Sequence, residues 1–390
     1  MLNALIDVTR LLDRRMQGRL PTGVDRVSLE YVRHFGEYSK ALVRFAGQWI
    51  ELNTKDSARI FTALLSDEGT HNDLIRFAVA KAFPYSVGSR FVAPRFLFNT
   101  GHSGLEQPDY ALRLQRSGLK PLFFVHDLIP LNYPEYCRQG ESDRHHLRMD
   151  TLLRMGHGVI ANSETTLNEL TTYAQGKKLP MPPAVVSLLA PARLLKPLAN
   201  AERPLLKPYF VMLGTIEPRK NHWLMLQLWR QLVESLGDAT PQLVIIGQRG
   251  WECENVVDML ERCEILKDFI FELPECSDTD LALWLHHAQA LLFPSFTEGF
   301  GMPLIEALTL GVPVIASDLP VFREIVGDIP DYIDVLDGKR WKDVIIDYAT
   351  ADSSARQQQC QRMSGFNAPT WAAHFEQVEA LMEYLSVTAR

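Results

Sequence analysis

Residues 293–308, FPSFTEGFGMPLIEAL, with 311–317, GVPVIAS, close behind, restrict the possible folds of this chain more than any other stretch. They read as an apolar strand, a glycine-rich loop, a helix and a second apolar strand. Gly299 and Gly301 let the backbone approach a ligand closely, and the helix that follows points its unpaired N–H groups at the loop. Such a place suits an anion, most simply a pyrophosphate. Glu298 in the loop and Glu306 in the helix, with seven residues between them, suit polyhydroxy groups, meaning ribose or a sugar ring. The combination points to a sugar nucleotide.

The same alternation runs along the chain. In the first half, residues 2–8, 41–45, 121–125 and 158–161 read as strands and 27–35 as a helix. Ser163 reads as the N-cap of another helix. Between about 190 and 208 the pattern breaks, with Pro191, Pro197 and Pro204 and no periodicity, as expected of an interdomain linker. It restarts with strands at 209–213, 242–246, 268–271, 290–293 and 314–316. Helices are expected between them, at 222–233, 256–266 and 278–287. Strands alternating with helices predict an α/β fold, a parallel sheet covered by helices, in two doubly wound copies. The expected domains are 1–195, 205–370 and a terminal amphipathic helix within 371–390, with Trp371, Phe375, Val378, Leu381 and Met382 on one face. A chain of 390 residues is long enough for two cores.

No apolar run is long enough to span a bilayer as a helix, and the first residues read as a strand rather than a signal peptide. The five cysteines form no CxxC pair, which suggests reduced thiols and a cytoplasmic address. Net charge is −7, unevenly spread. Residues 1–195 hold 24 Lys and Arg against 19 Asp and Glu, and the remainder 16 against 28. The basic first half, with Arg10, Arg14, Arg15, Arg19, Arg26 and Arg33, reads either as a solvated helix face or as a docking surface for anionic lipid or a phosphate-bearing acceptor. Nucleic acid fits poorly with an acidic protein.

Ligands of open α/β sheets bind beyond the carboxyl ends of the strands, and five loops there carry useful chemistry. In LPTGVDR (20–26), Gly23 lets amides face a phosphate, though a plain helix cap explains it equally well. In VHDLIP (125–130), His126 and Asp127 can orient a substrate or handle a proton. In LGTIEPRKN (213–221), which also contains Gly214, Arg219 and Lys220 can hold both phosphates of a leaving diphosphate. GQRGW (247–251) is a weaker pocket-shaping candidate, and the glutamate loop is the fifth.

TEGFGMPLIE (297–306) resembles the paired-glutamate signature of retaining GT-B glycosyltransferases of the family 4 type. LGTIEPRKN resembles that family's phosphate-clamping loop, and VHDLIP, VIANSE (159–164) and TGVDR (22–26) resemble its N-domain motifs. The resemblance runs from the start to about residue 334 and implies two Rossmann-like domains facing each other across a cleft. The second domain would bind the donor and the first the acceptor, and the terminal helix would return to the first. It assigns Glu306 to the ribose hydroxyls and Glu298 to the donor sugar. The backbone amides of Phe300, Gly301 and Met302 would lie near the sugar and phosphates, and Arg219 and Lys220 would neutralise the diphosphate, beside Gly214. His126 would line the reacting centre, and Gly23 would let its loop approach the diphosphate.

The implied activity is retaining transfer of a hexose to a growing glycan in bacterial surface-polysaccharide synthesis. Mannose from GDP-mannose is the favoured donor, with UDP- and dTDP-sugars open. No cofactor or metal is expected. The acceptor would be a glycan or lipid-linked glycan, and the protein cytoplasmic or peripheral on the inner face of the membrane. The alternatives are a non-catalytic GT-B glycan-binding or scaffold module and a GT-B sugar-nucleotide epimerase. Asp278 and Asp280 have the spacing of a metal-binding DxD, but acids opening a helix cap it and complement its dipole. GHSG (101–104) evokes a serine-hydrolase elbow yet has Leu105 where that turn needs glycine.

Overall fold

The computed structural model describes residues 4–66, 73, 76, 78, 80–81, 95–192, 194, 197 and 201–387. The chain forms two compact units. The first comprises Met1–Leu131, Ser142–Leu189 and Trp371–Arg390, the second Asn132–Glu141 and Ala190–Thr370. Part of the expected linker lies outside the described residues.

Among the described residues, unit 1 is built on seven strands: β1 (Ala4–Asp7), β2 (Ser39–Phe45), β3 (Gln48–Glu51), β4 (Phe96–Asn99), β5 (Lys120–Val125), β6 (Gly158–Ala161) and β7 (Ala184–Val186). Their order is β3-β2-β1-β4-β5-β6-β7. Every pairing is parallel except β2 with β3, where Phe45 opposes Gln48 across a tight antiparallel turn. Strands such as β1 and β6 are buried along their whole length, because helices cover both faces of a parallel sheet and leave no side for polar residues. On one face Leu5, Leu97, Phe123 and Val159 pack with Leu114, Met149 and Leu170.

The terminal helix Trp371–Val387 packs within this unit. Val378 and Met382 are fully buried, and Phe375 sits edge-on to Tyr31 with ring centres 5.2 Å apart. Burial of the Tyr31 hydroxyl is made tolerable by a 3.0 Å hydrogen bond to His374 Nε2, since an unpaired buried polar group costs about 1–3 kcal/mol. The Ser187 hydroxyl donates to the His374 carbonyl at 2.8 Å. Trp371, expected on the packing face, is only half-buried.

Among the described residues, unit 2 has six strands, all parallel: β8 (Tyr209–Leu213), β9 (Gln242–Ile246), β10 (Ile270–Leu273), β11 (Leu291–Phe293), β12 (Val314–Ser317) and β13 (Asp331–Ile333). Their order, β10-β9-β8-β11-β12-β13, reverses direction between β8 and β11, and this is the place where a doubly wound sheet opens its crevice. Phe210, Leu243, Leu292 and Ile315 from the sheet pack with the buried Trp229 and Trp341. The segment Asn132–Glu141 is part of this unit. Tyr136 stacks on Phe296 at 5.3 Å, and Trp251 donates its indole N–H to the Tyr136 carbonyl at 3.1 Å.

Candidate functional site

The loops after β8 and β11 flank the reversal point of unit 2, and the Phe296 amide ties them by donating to the Arg219 carbonyl at 2.8 Å. After β8 the chain makes a single 3-10 turn, Pro218–Lys220. It then passes through Asn221 in the left-handed region (φ 56°) before the helix His222–Leu236. This geometry points Arg219 and Lys220 at the second loop. Arg219 Nη1 reaches Glu298 Oε2 at 2.6 Å and the Thr297 carbonyl at 3.1 Å. Lys220 Nζ reaches Glu298 Oε1 at 2.5 Å, and the Ser295 hydroxyl donates to that same oxygen at 2.7 Å. The other side of the guanidinium pairs with Glu217, 2.6 Å away.

Four charges thus share one buried corner and balance: Glu217 and Glu298 against Arg219 and Lys220. Burial alone would push the Glu298 carboxyl up, but Arg219 and Lys220 overcome it and hold the group down at about 2. Glu298 is therefore a carboxylate at any physiological pH. Burial lowers the Lys220 ammonium from its usual range, while Glu298 opposes that shift. Behind it, burial and then the Lys220 charge hold His222 neutral, at about 3.

The helix Met302–Thr309 begins right after the loop, with Gly301 as its N-cap at φ 115°. A Cβ at Gly301 would also meet the Phe322 ring at 2.7 Å, so only glycine fits. Pro303 has no N–H and the Leu304 amide already donates to the Gly301 carbonyl at 3.0 Å, so the Met302 amide is the first-turn donor that the helix leaves for the loop. Glu306 lies within this helix, buried, and its Oε1 accepts from the Ala192 amide at 3.4 Å. Gly214, at φ 133°, closes β8 beside Lys220. Unit 2 thus brings Glu298, Arg219 and Lys220 into direct contact. Phe300, Gly301, Met302 and Glu306 follow on the same loop and helix.

In unit 1, His126 follows β5, buried, and its Nε2–H donates to the Thr100 carbonyl at 2.7 Å. Burial lowers its pKa to about 4, against the pull of that carbonyl and of Asp127. His102, which the sequence reading passed over inside its rejected hydrolase motif, makes the reciprocal bond. Its Nε2–H donates to the Phe124 carbonyl at 2.6 Å. The two rings lie 5.5 Å apart, and His102 holds a left-handed backbone (φ 55°) to get there. Its place, three residues past a buried strand, was the available signal. His145 completes the group, 3.2 Å from the Asp127 carbonyl.

Gly23 opens the helix Gly23–Phe35 behind the N-cap Thr22. Asp25 caps Thr22 in return, accepting from its amide at 2.8 Å. Asp25 also pairs with Arg10 at 2.8 Å and Arg14 at 2.7 Å, so part of the basic cluster is matched internally. Asp278 and Asp280 open the helix Asp278–His286, where the Ser277 hydroxyl accepts from the Asp280 amide. Among the described residues no group of three or more His, Cys, Asp or Glu could hold a metal ion, and no helix is long and apolar enough to cross a membrane.

Residues 199–331 match the family model described as Glycosyl transferases group 1. The chain is 30% identical over 226 residues to the serotype-specific mannosyltransferase WbdA of Escherichia coli, covering 54% of this chain and 28% of that protein. It is 38% identical over 120 residues to the O-antigen chain mannosyltransferase B of Escherichia coli, 31% of each chain. Each match spans less than a third of the relative's length. Among solved structures, Anabaena Alr3699/HepE in complex with UDP-glucose superposes over 100% of this chain and 99% of its own. The TM-score is 0.65, at 13% identity. That likeness establishes the fold class, the pair of Rossmann-like domains of the GT-B glycosyltransferases.

Proposed function

Taking residues 199–331 as a group 1 glycosyltransferase domain, we propose that the protein is a retaining hexosyltransferase. It takes a sugar, mannose first among candidates, from a nucleoside diphosphate donor and adds it to a growing surface glycan. The observation that carries this reading is the buried Glu298–Arg219–Lys220 cluster at the reversal point of unit 2. The relatives named for mannosyl transfer favour GDP-mannose over UDP- or dTDP-sugars.

In the reaction the bond between the anomeric carbon and the diphosphate oxygen breaks. The acceptor hydroxyl oxygen bonds to that carbon, and its proton leaves with the diphosphate. Negative charge grows on the departing diphosphate, so fixed cations and amide dipoles there lower the barrier. Arg219 and Lys220 would turn from Glu298 to that diphosphate, aided by the amides of Phe300, Gly301 and Met302 and by the close approach that Gly214 and Gly23 permit. Glu298, released, would take hydroxyls of the donor sugar, and Glu306 those of the ribose. His126, neutral with its Nε2–H committed to Thr100, would offer its other nitrogen to a sugar hydroxyl. Retention fits attack on the face the diphosphate leaves, and these side-chain cations take the charge role that a metal ion could fill.

The acceptor is a glycan or lipid-linked glycan bound by unit 1, and the protein works in the cytoplasm at the inner membrane face. The basic arginines of unit 1 support that placement. Liposome flotation with and without anionic lipid tests it, and absence of binding in both cases removes it. The transferase reading itself is tested by thermal shift with GDP, UDP, dTDP and ADP, since a ligand of the native state raises its stability. Mannosyl transfer or donor hydrolysis abolished in Glu298→Ala would confirm it. An epimerised sugar product without acceptor, or no response to any nucleotide, would overturn it.

A further inference from the structure

A cavity of about 230 Å³ opens in unit 1 under the β2–β3 turn, lined by Asp13, Arg44, Phe45, Gln48, Ser103 and Gln107 among others. It lies at the carboxyl ends of β1, β2 and β4, the side of a parallel sheet on which ligands bind. Pockets for drug-sized ligands measure about 300–1,000 Å³, so this smaller space suits one sugar ring and not a nucleoside diphosphate.

Its wall is built. The Arg44 guanidinium is held by Asp7 at 2.8 Å through Nε, by the Ser103 hydroxyl through Nη2 and over the Tyr110 ring at 5.6 Å. A side chain at Gly104, whose φ is +78°, would place a Cβ 1.7 Å from Arg44 Nη1. Glycine is therefore required for the guanidinium to lie there. Asp13 carries a carboxylate, and Gln48 and Gln107 carry side-chain amides, that make no hydrogen bond among the described residues. At the turn, Phe45 is 58% exposed, next to Ala46 at φ 46° and Gly47 at φ 71°.

An anion would be repelled by Asp13 and Asp109, and an apolar ligand would strand the amides and the guanidinium. A hexopyranose satisfies all of them. Its hydroxyls donate to Asp13 and to the amide oxygens, accept from Arg44 and the amide nitrogens, and its C–H face lies on Phe45.

We propose that this cavity binds one uncharged hexopyranose residue of the acceptor glycan, apart from the residue that receives the new sugar. This rests on the transferase reading above. The cavity adjoins the His126 end of the sheet through a single loop, in which the Thr100 carbonyl takes the His126 N–H and Ser103 takes Arg44. The acceptor chain is thereby gripped beside the reacting end.

The test is saturation-transfer NMR on the full chain with methyl α-D-mannopyranoside and methyl β-D-glucopyranoside. It is repeated on Asp13→Asn, Phe45→Ala and the double variant, with circular dichroism confirming the fold. These side chains are exposed, and neither belongs to the proposed transfer machinery. We expect saturation transfer to at least one glycoside, and binding weaker by about tenfold or more in Asp13→Asn, as for a lost charged hydrogen bond. No transfer to either glycoside, or transfer undiminished in the double variant, overturns the site. Nucleotide thermal shifts on the same samples separate the two readings. A nucleotide response without glycoside binding sinks only the sugar site. Glycoside binding lost in the variants, with no nucleotide response, sustains the site and sinks the transferase reading.

Discussion

Replacing Glu298 with glutamine removes one charge from a corner in which four charges balance. Its carboxyl is held at about 2, against an ordinary 4.5. At 1.36 kcal/mol per unit, that difference is worth about 3 kcal/mol at neutral pH. The figure agrees with the about 3–5 kcal/mol lost when one partner of a buried pair is deleted. The sign follows from the depressed pKa. The stability is present above the unfolded value near 4.5 and disappears as pH falls through about 2. Glu298→Gln should therefore be less stable than the wild type by about 3 kcal/mol at pH 7 and by about half that at pH 3. Urea unfolding followed by tryptophan fluorescence reads the right region, because five of the seven tryptophans belong to unit 2. A gap under about 1 kcal/mol at pH 7, or one of equal size at both pH values, would refute the claim that Arg219 and Lys220 hold this carboxylate.

Three further outcomes are expected. Under the proposed function, Arg219→Ala and Lys220→Ala should each lower kcat for hexosyl transfer by about 10²–10³, as for other lost charge-stabilising donors; near-wild-type turnover in both would remove the diphosphate role. Gly301→Ala forces a side chain into the left-handed region and onto Phe322, so it should cost about 1–3 kcal/mol, visible as a lower Tm. Burial holds His374 at about 4, below its ordinary 6.5, so the unfolded chain takes up the proton first and stability falls as pH drops from about 6.5 to about 4. His374→Gln should flatten that part of a urea-midpoint pH profile, and an unchanged slope would clear His374 of the effect.

Much of the fold could be read from periodicity. The strands expected at 158–161, 209–213 and 242–246 occur with those bounds, because buried parallel strands are continuous apolar runs. Ser163 caps its helix as expected, accepting from the Thr166 amide. The strand expected at 268–271 instead spans Ile270–Leu273, and its helix stops at Arg262. Between them the chain spends Glu264–Leu266 on a 3-10 turn, which apolar spacing does not register. The antiparallel β3 was missed because its turn uses Ala46 and Gly47 in left-handed conformations, not the usual Asn-Gly signal. In the site, residue types and loops could be read, but the pairing could not. No spacing rule says that two loops 78 residues apart in sequence join through Lys220 and Glu298.

The balanced corner has a consequence for how the site accepts a ligand. Glu298 serves as the resting counter-ion of Arg219 and Lys220, so under the proposed function a diphosphate would enter by ion exchange and not by filling an empty positive pocket. Free sugars cannot make that exchange and would leave Glu298 locked. Under the proposed function, the carboxylate becomes available to sugar hydroxyls only after a diphosphate has taken its cations. The donor's phosphates would then act as the key to its own sugar pocket, and nucleotide affinity would be lower than two buried cations suggest, because every binding event must first displace an internal anion.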